Sequence, residues 1–146
     1  MGTGIPVLIC AGIAWFVAGI LKVILYRIME KKWAWGLVFS TGGLPSSHSA
    51  FVTATALAAG LFGGFDSIGF AVALVLAIVV MADAMGVRRE TGRHAQRINM
   101  IIEEIFKGHP ISPDQLREVV GHSPFEVVSG SLLGIVVAVL IRLLWK

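Results

Sequence analysis

No charged side chain occurs in residues 1–21, and nothing constrains the fold of this chain more. In hydrocarbon every backbone N–H and C=O must be paired within the protein, which leaves a helix or a closed barrel as the spanning structure. A helix from about Ile5 to Tyr26 is long enough to cross ~30 Å of hydrocarbon. Three further apolar blocks follow: from Ser46 or Ser47 to about Phe62, from about Ile68 to Val87, and from Pro124 to about Leu144. Gly63-Gly64-Phe65-Asp66-Ser67 separates the second and third as a turn. The pattern predicts one all-α domain over residues 1–146, a polytopic membrane bundle of about four spans. Spans two and four are near the short limit, which calls for tilt or local thinning.

Composition agrees with a bilayer. The chain of 146 residues is 56% hydrophobic and 14% charged, with a mean hydropathy of +0.84; a soluble domain carries about 25% charged residues. A net charge of +3 is too small to mark a nucleic-acid binder, and no nucleic-acid partner is expected. The single cysteine, Cys10, lies in the first block, so no intrachain disulfide is available and the redox compartment stays open. The first block has no basic stretch before it and no small-residue cleavage signature after it. It therefore reads as a retained span rather than a removed signal. Lys22, late in that span, is placed to snorkel to the headgroups. Glu30-Lys31-Lys32-Trp33-Ala34-Trp35 has the charges and tryptophans of a membrane interface. Residues 36–43 are too short to span and lead back as a loop or re-entrant piece.

Arg88–Ser123 is the substantial polar stretch. Within it Ile98, Ile101, Ile102, Ile105 and Phe106 recur at helical spacing, away from Arg93, His94 and Arg97. This is an amphipathic helix suited to a membrane surface or a partner chain. Ser112-Pro113-Asp114-Gln115 reads as a capping box opening a short helix that Gly121 closes. Of the 12 Lys and Arg residues, Lys22, Arg27, Lys31, Lys32, Arg88, Arg89, Arg93, Arg97, Lys107 and Arg117 share one side of a four-span arrangement, and Arg142 and Lys146 take the other. By the positive-inside rule the polar connections face the cytoplasm and both termini lie outside.

Two histidines stand where apolar helices begin, in Pro45-Ser46-Ser47-His48-Ser49-Ala50 and Gly121-His122-Ser123-Pro124-Phe125-Glu126. Helix starts offer unpaired N–H groups and the positive end of the dipole, a site for a phosphate-like anion. A histidine there can attack or protonate a bound phosphoryl group. One turn separates His122 from Glu126, so the carboxylate is placed to hold one ring nitrogen and leave the other free to attack. Glu126 reads equally well as the return residue of a capping box with Ser123 and Pro124. Taken alone, each histidine is a solvated polar residue at a helix start, Lys22 is an anchor, and Arg88 and Arg89 are positive-inside anchors. Asp83 is harder to set aside, because a carboxylate within a span is costly and is usually paired; an arginine or histidine of the same site is its expected partner. His94 and His109 read as solvated. Metal-ligand spacing is absent, with no H-E-x-x-H and no cysteine pair, and no metal or other cofactor is expected.

These strings, with Asp83-Ala84-Met85-Gly86-Val87-Arg88-Arg89 and Lys22, resemble the membrane-bound type 2 phosphatidic acid phosphatase superfamily, which includes vanadium haloperoxidases. The similarity is to its small divergent branch of short bacterial and plastid membrane proteins, and it covers nearly the whole chain. The superfamily motifs are K-x6-R-P, P-S-G-H and S-R-x5-H-x3-D. Pro45-Ser46-Ser47-His48 matches the second with Ser47 for glycine, and His122-x3-Glu126 matches the end of the third with glutamate for aspartate. No Arg-Pro follows Lys22 at the motif's spacing, and no arginine precedes His122 at the usual distance; Arg88 or Arg89 would replace it across the amphipathic insert.

The resemblance implies metal-independent hydrolysis of a lipid phosphate or pyrophosphate. In it His122 is the nucleophile, Glu126 fixes its tautomer and His48 is the general acid and then base. Lys22, Ser46, Ser47, Arg88 and Arg89 hold the phosphate, with Asp83 in support. Superfamily members have about six spans, so a homodimer would complete the bundle. The alternative is a non-enzymatic membrane protein that binds or transports phospholipids with a degenerate site of the same kind.

Overall fold

The computed structural model describes residues 4–40, 42–105 and 122–145, with the side chains of residues 88, 89 and 103–105 outside that description. Its helices are α1 (Gly4–Glu30), α2 (Ser47–Gly63), α3 (Ile68–Met85), α4 (Val87–Ile105) and α5 (Pro124–Leu144), with a 3₁₀ turn at Trp35–Phe39. No strand occurs among the described residues. The protein is a helical membrane bundle. The helices long and apolar enough to cross a membrane are α1, the run from Ile68 to Ile102 that joins α3 to α4, and α5. The 17 residues of α2 reach about 25 Å, slightly less than the hydrocarbon thickness.

α2 is the hub, packing on α1, α3 and α5, while α1 also touches α5. Lipid tails are as apolar as leucine, so burying large side chains between spans gains little, and close backbone approach through small residues takes over. The small residues of the buried cluster are Cys10, Ala14 and Ala18 of α1, Ala50, Ala54 and Ala58 of α2, and Ala138 of α5. Each helix presents these residues at four-residue steps, one face of an α-helix. On α5 the row continues through Gly134 and Gly130. A Cβ at Gly134 would stand 2.5 Å from the Ala50 carbonyl oxygen, so here the two backbones meet. The large side chains, among them Leu8, Val72 and Leu132, point outward.

Helix starts follow the serines. Ser46, Ser67 and Ser123 each accept a backbone N–H three residues on, satisfying a donor that the first turn leaves open. Gly64 closes α2 at φ 94°, a conformation that favours glycine, and the expected turn follows it. The segment after α1 forms the 3₁₀ turn and folds back onto α1: Val38 is buried, and a Cβ at Gly19 would stand 3.0 Å from Val38 Cγ1. Beside it Trp33 and Trp35 stack at 5.4 Å, with the Arg27 guanidinium 5.6 Å from the Trp33 ring centre.

The amphipathic helix is longer than its isoleucines alone imply. It begins at Val87, directly after Gly86, because helical bonding runs through that glycine: its N–H donates to Ala82 O at 2.8 Å, and Glu90 N–H donates to Gly86 O at 3.0 Å. Phe106, the expected cap at Ser112 and the stop at Gly121 lie outside the described residues.

Candidate active site

α5 opens on a complete capping box. Ser123 Oγ accepts the Glu126 N–H at 3.3 Å, Glu126 Oε2 accepts the Ser123 N–H at 2.9 Å, and Pro124 starts the helix. The same Oε2 lies 3.1 Å from His122 Nδ1. Capping and orienting are thus done by one carboxylate at once. With a carboxylate as its acceptor Nδ1 carries the proton, so in the neutral ring the lone pair sits on Nε2. His122 is 1% exposed, and its Nε2 has no hydrogen-bond partner among the described residues. A buried, unpartnered ring nitrogen is expensive and needs a reason. The backbone of His122 is fixed as well, its N–H donating to Ala84 O at 3.1 Å, which ties the start of α5 to the end of α3.

α2 brings the second histidine. Ser46 N–H donates to Glu126 O at 3.0 Å, so the starts of α2 and α5 are bonded side by side. Ser46 Oγ accepts the Ser49 N–H at 3.3 Å and the Ser49 hydroxyl at 3.0 Å. Ser47 Oγ is buried with no hydrogen-bond partner among the described residues. The His48 and His122 ring centres stand 6.2 Å apart, tilted by 56°, close enough for one tetrahedral anion to touch both rings.

Lys22 corrects an expectation. It does not snorkel outward: it is 3% exposed and its Nζ donates to Ser40 O at 3.1 Å. The 3₁₀ turn seated on Gly19 brings that carbonyl over the end of α1, and the loop that leads to α2 passes the same side chain, a Cβ at Gly43 standing 3.9 Å from Lys22 Cδ. Asp83 is half-buried in the last turn of α3, next to the Ala84 carbonyl that holds His122. Arg88 and Arg89 lie in the first turn of α4, with side chains outside the described residues. The sequence-predicted His48, His122, Glu126, Ser46, Ser47 and Lys22 therefore meet at one end of the bundle. His94 is exposed, as read from the sequence, and His109 lies outside the described residues. No group of three or more His, Cys, Asp or Glu able to hold a metal occurs among the described residues.

Sequence reasoning missed the contacts of Ser40, Ser49 and Ala84. Ser40 and Ala84 act through carbonyls, which carry no residue-type signal. Ser49 had one, as a hydroxyl three residues after a capping serine.

Fold and site together define a small polytopic membrane protein with paired histidines, a carboxylate and a buried lysine gathered at one end of its helices. The chain matches the Divergent PAP2 family over residues 4–137 and belongs to it. It is similar to YuiD, an uncharacterized membrane protein of Bacillus subtilis (strain 168), with 39% identity over 135 residues, 85% of each chain. No solved structure matches.

Proposed function

We propose that this protein hydrolyses a lipid phosphate or pyrophosphate through a phosphohistidine, without a metal, at the cytoplasmic face of the membrane. The observation that carries the reading is the state of His122: Nδ1 held by Glu126 at 3.1 Å and Nε2 buried with no described partner. That is the arrangement of an activated nucleophile with its orienting group.

In the first step Nε2 attacks phosphorus in line. An N–P bond forms as the P–O bond to the leaving group breaks, and His48 gives its proton to the departing oxygen. In the second step His48 takes a proton from water, the hydroxide displaces His122 from phosphorus, and inorganic phosphate leaves. Lys22, the backbone amides at the start of α2, Arg88 and Arg89 neutralise the equatorial oxygens. Glu126 stabilises the positive charge that grows on the His122 ring. The excess of basic residues in the polar connections supports a cytoplasmic location for this end, by the positive-inside rule.

A second reading, lipid-phosphate binding without turnover, draws on the 1% exposure of His122, which leaves little access for a substrate. Phosphate release decides between them. Purified protein incubated with a panel of lipid phosphates is expected to release phosphate, and His122→Ala to release none. Binding of the same lipids with no release from either protein would favour the second reading.

A further inference from the structure

The contact between α2 and α5 is tightest at Gly130. A Cβ there would overlap the Ser46 carbonyl oxygen and stand 3.1 Å from both Ser46 C and Ser46 Cβ. Gly130 lies one turn after Glu126, whose own carbonyl accepts the Ser46 N–H at 3.0 Å. The residue that caps the His48 helix is therefore gripped at two successive turns of the helix that begins beside His122.

We infer that Gly130 is a positioning residue: its missing side chain sets the spacing between His48 on α2 and His122 on α5, and so the fit of one phosphoryl group between the rings. The inference rests on the phosphoryl reading of the site. The obstacle to any side chain at 130 is a backbone carbonyl, which has no rotamer to move into. A methyl group there forces the start of α2 outward by something on the order of 1 Å, and displacement on that scale costs about 10²-fold in rate. Gly134 makes a similar approach, 2.5 Å from Ala50 O and 3.0 Å from Ala54 N, but one turn further from the histidines. It supplies a control, a comparable backbone obstruction one helical turn further from the chemistry.

The test is binding of vanadate, which mimics the pentacoordinate phosphoryl group and needs no turnover. It is measured on the native protein, His122→Ala, Gly130→Ala and Gly134→Ala, with thermal unfolding in the same micelles. A fifth variant, Ser46→Thr, keeps the capping hydroxyl and wedges the same contact from the α2 side, so a failure of Gly130→Ala to fold leaves the spacing testable. Native protein is expected to bind in a His122-dependent manner. Gly130→Ala and Ser46→Thr are expected to weaken binding by about tenfold or more, and Gly134→Ala by less than about threefold at comparable loss of thermal stability. Equal weakening by Gly130→Ala and Gly134→Ala, or none by Gly130→Ala and Ser46→Thr, overturns the positioning role while leaving the phosphoryl reading intact. Native protein that neither binds vanadate nor releases phosphate overturns both.

Discussion

Glu126 uses one oxygen for two tasks, and two substitutions separate them. Glu126→Ala removes the acceptor for Ser123 N–H at 2.9 Å and for His122 Nδ1 at 3.1 Å. Ser123 still caps the helix, so losing the returning hydrogen bond costs about 1 kcal/mol, and a donor left unsatisfied beneath a ring that is 1% exposed costs about 1–3 kcal/mol. The sum is roughly 2–4 kcal/mol of stability. Glu126→Gln keeps an oxygen for both donors, and glutamine serves in a capping box as well as glutamate, so its stability loss should stay under about 1 kcal/mol. What it loses is charge. A charge-assisted hydrogen bond exceeds a neutral one by about 1–2 kcal/mol, and that difference is felt when the His122 ring becomes positive during attack. At about 1.4 kcal/mol per factor of ten, the rate should fall roughly 5- to 30-fold. Thermal unfolding and initial phosphate release, measured side by side in the same detergent, give both quantities. A glutamine variant as unstable as the alanine variant, or one with an undiminished rate, would refute the assignment of both tasks to that oxygen.

His48→Ala should slow hydrolysis of alkyl phosphates far more than that of an activated aryl phosphate, whose leaving group departs without a proton; equal slowing would remove His48 from the acid role. Lys22→Met keeps the stem and removes a charged hydrogen bond worth about 1.5–3 kcal/mol, so vanadate affinity should drop by about tenfold to a hundredfold, read by titration. Single cysteines placed near either terminus in a Cys10→Ala background should react with an impermeant thiol reagent applied from outside intact cells, and one at Arg97 should not. The opposite pattern would invert the orientation.

Much of the architecture was legible because it is local. α5 runs from Pro124 to Leu144, as the proline, the capping serine and the apolar block indicate. α2 begins behind Ser46 for the same reason. The His122–Glu126 contact was legible because four residues make one turn. The fate of Lys22 was not, since an anchor and a ligand look alike until the 3₁₀ turn seated on Gly19 supplies the Ser40 carbonyl. The links from His122 to Ala84 and from Ser46 to Glu126 were hidden too, being backbone bonds between distant helices. The start of α4 was not legible either: its isoleucines mark only the later turns, and the backbone hydrogen bonds that continue on both sides of Gly86 carry no residue-type signal.

Covalent chemistry at His122 is tested most directly by trapping it. Native protein is mixed with a turned-over lipid phosphate, quenched within the first turnovers under alkaline conditions that preserve phosphohistidine, digested and mapped by mass spectrometry. The expected result is a phosphoryl group on His122, labile to acid and absent from His122→Ala. Steady phosphate release with His122 unmodified, or release that persists in His122→Ala after contaminating phosphatases are removed, would contradict the phosphohistidine mechanism.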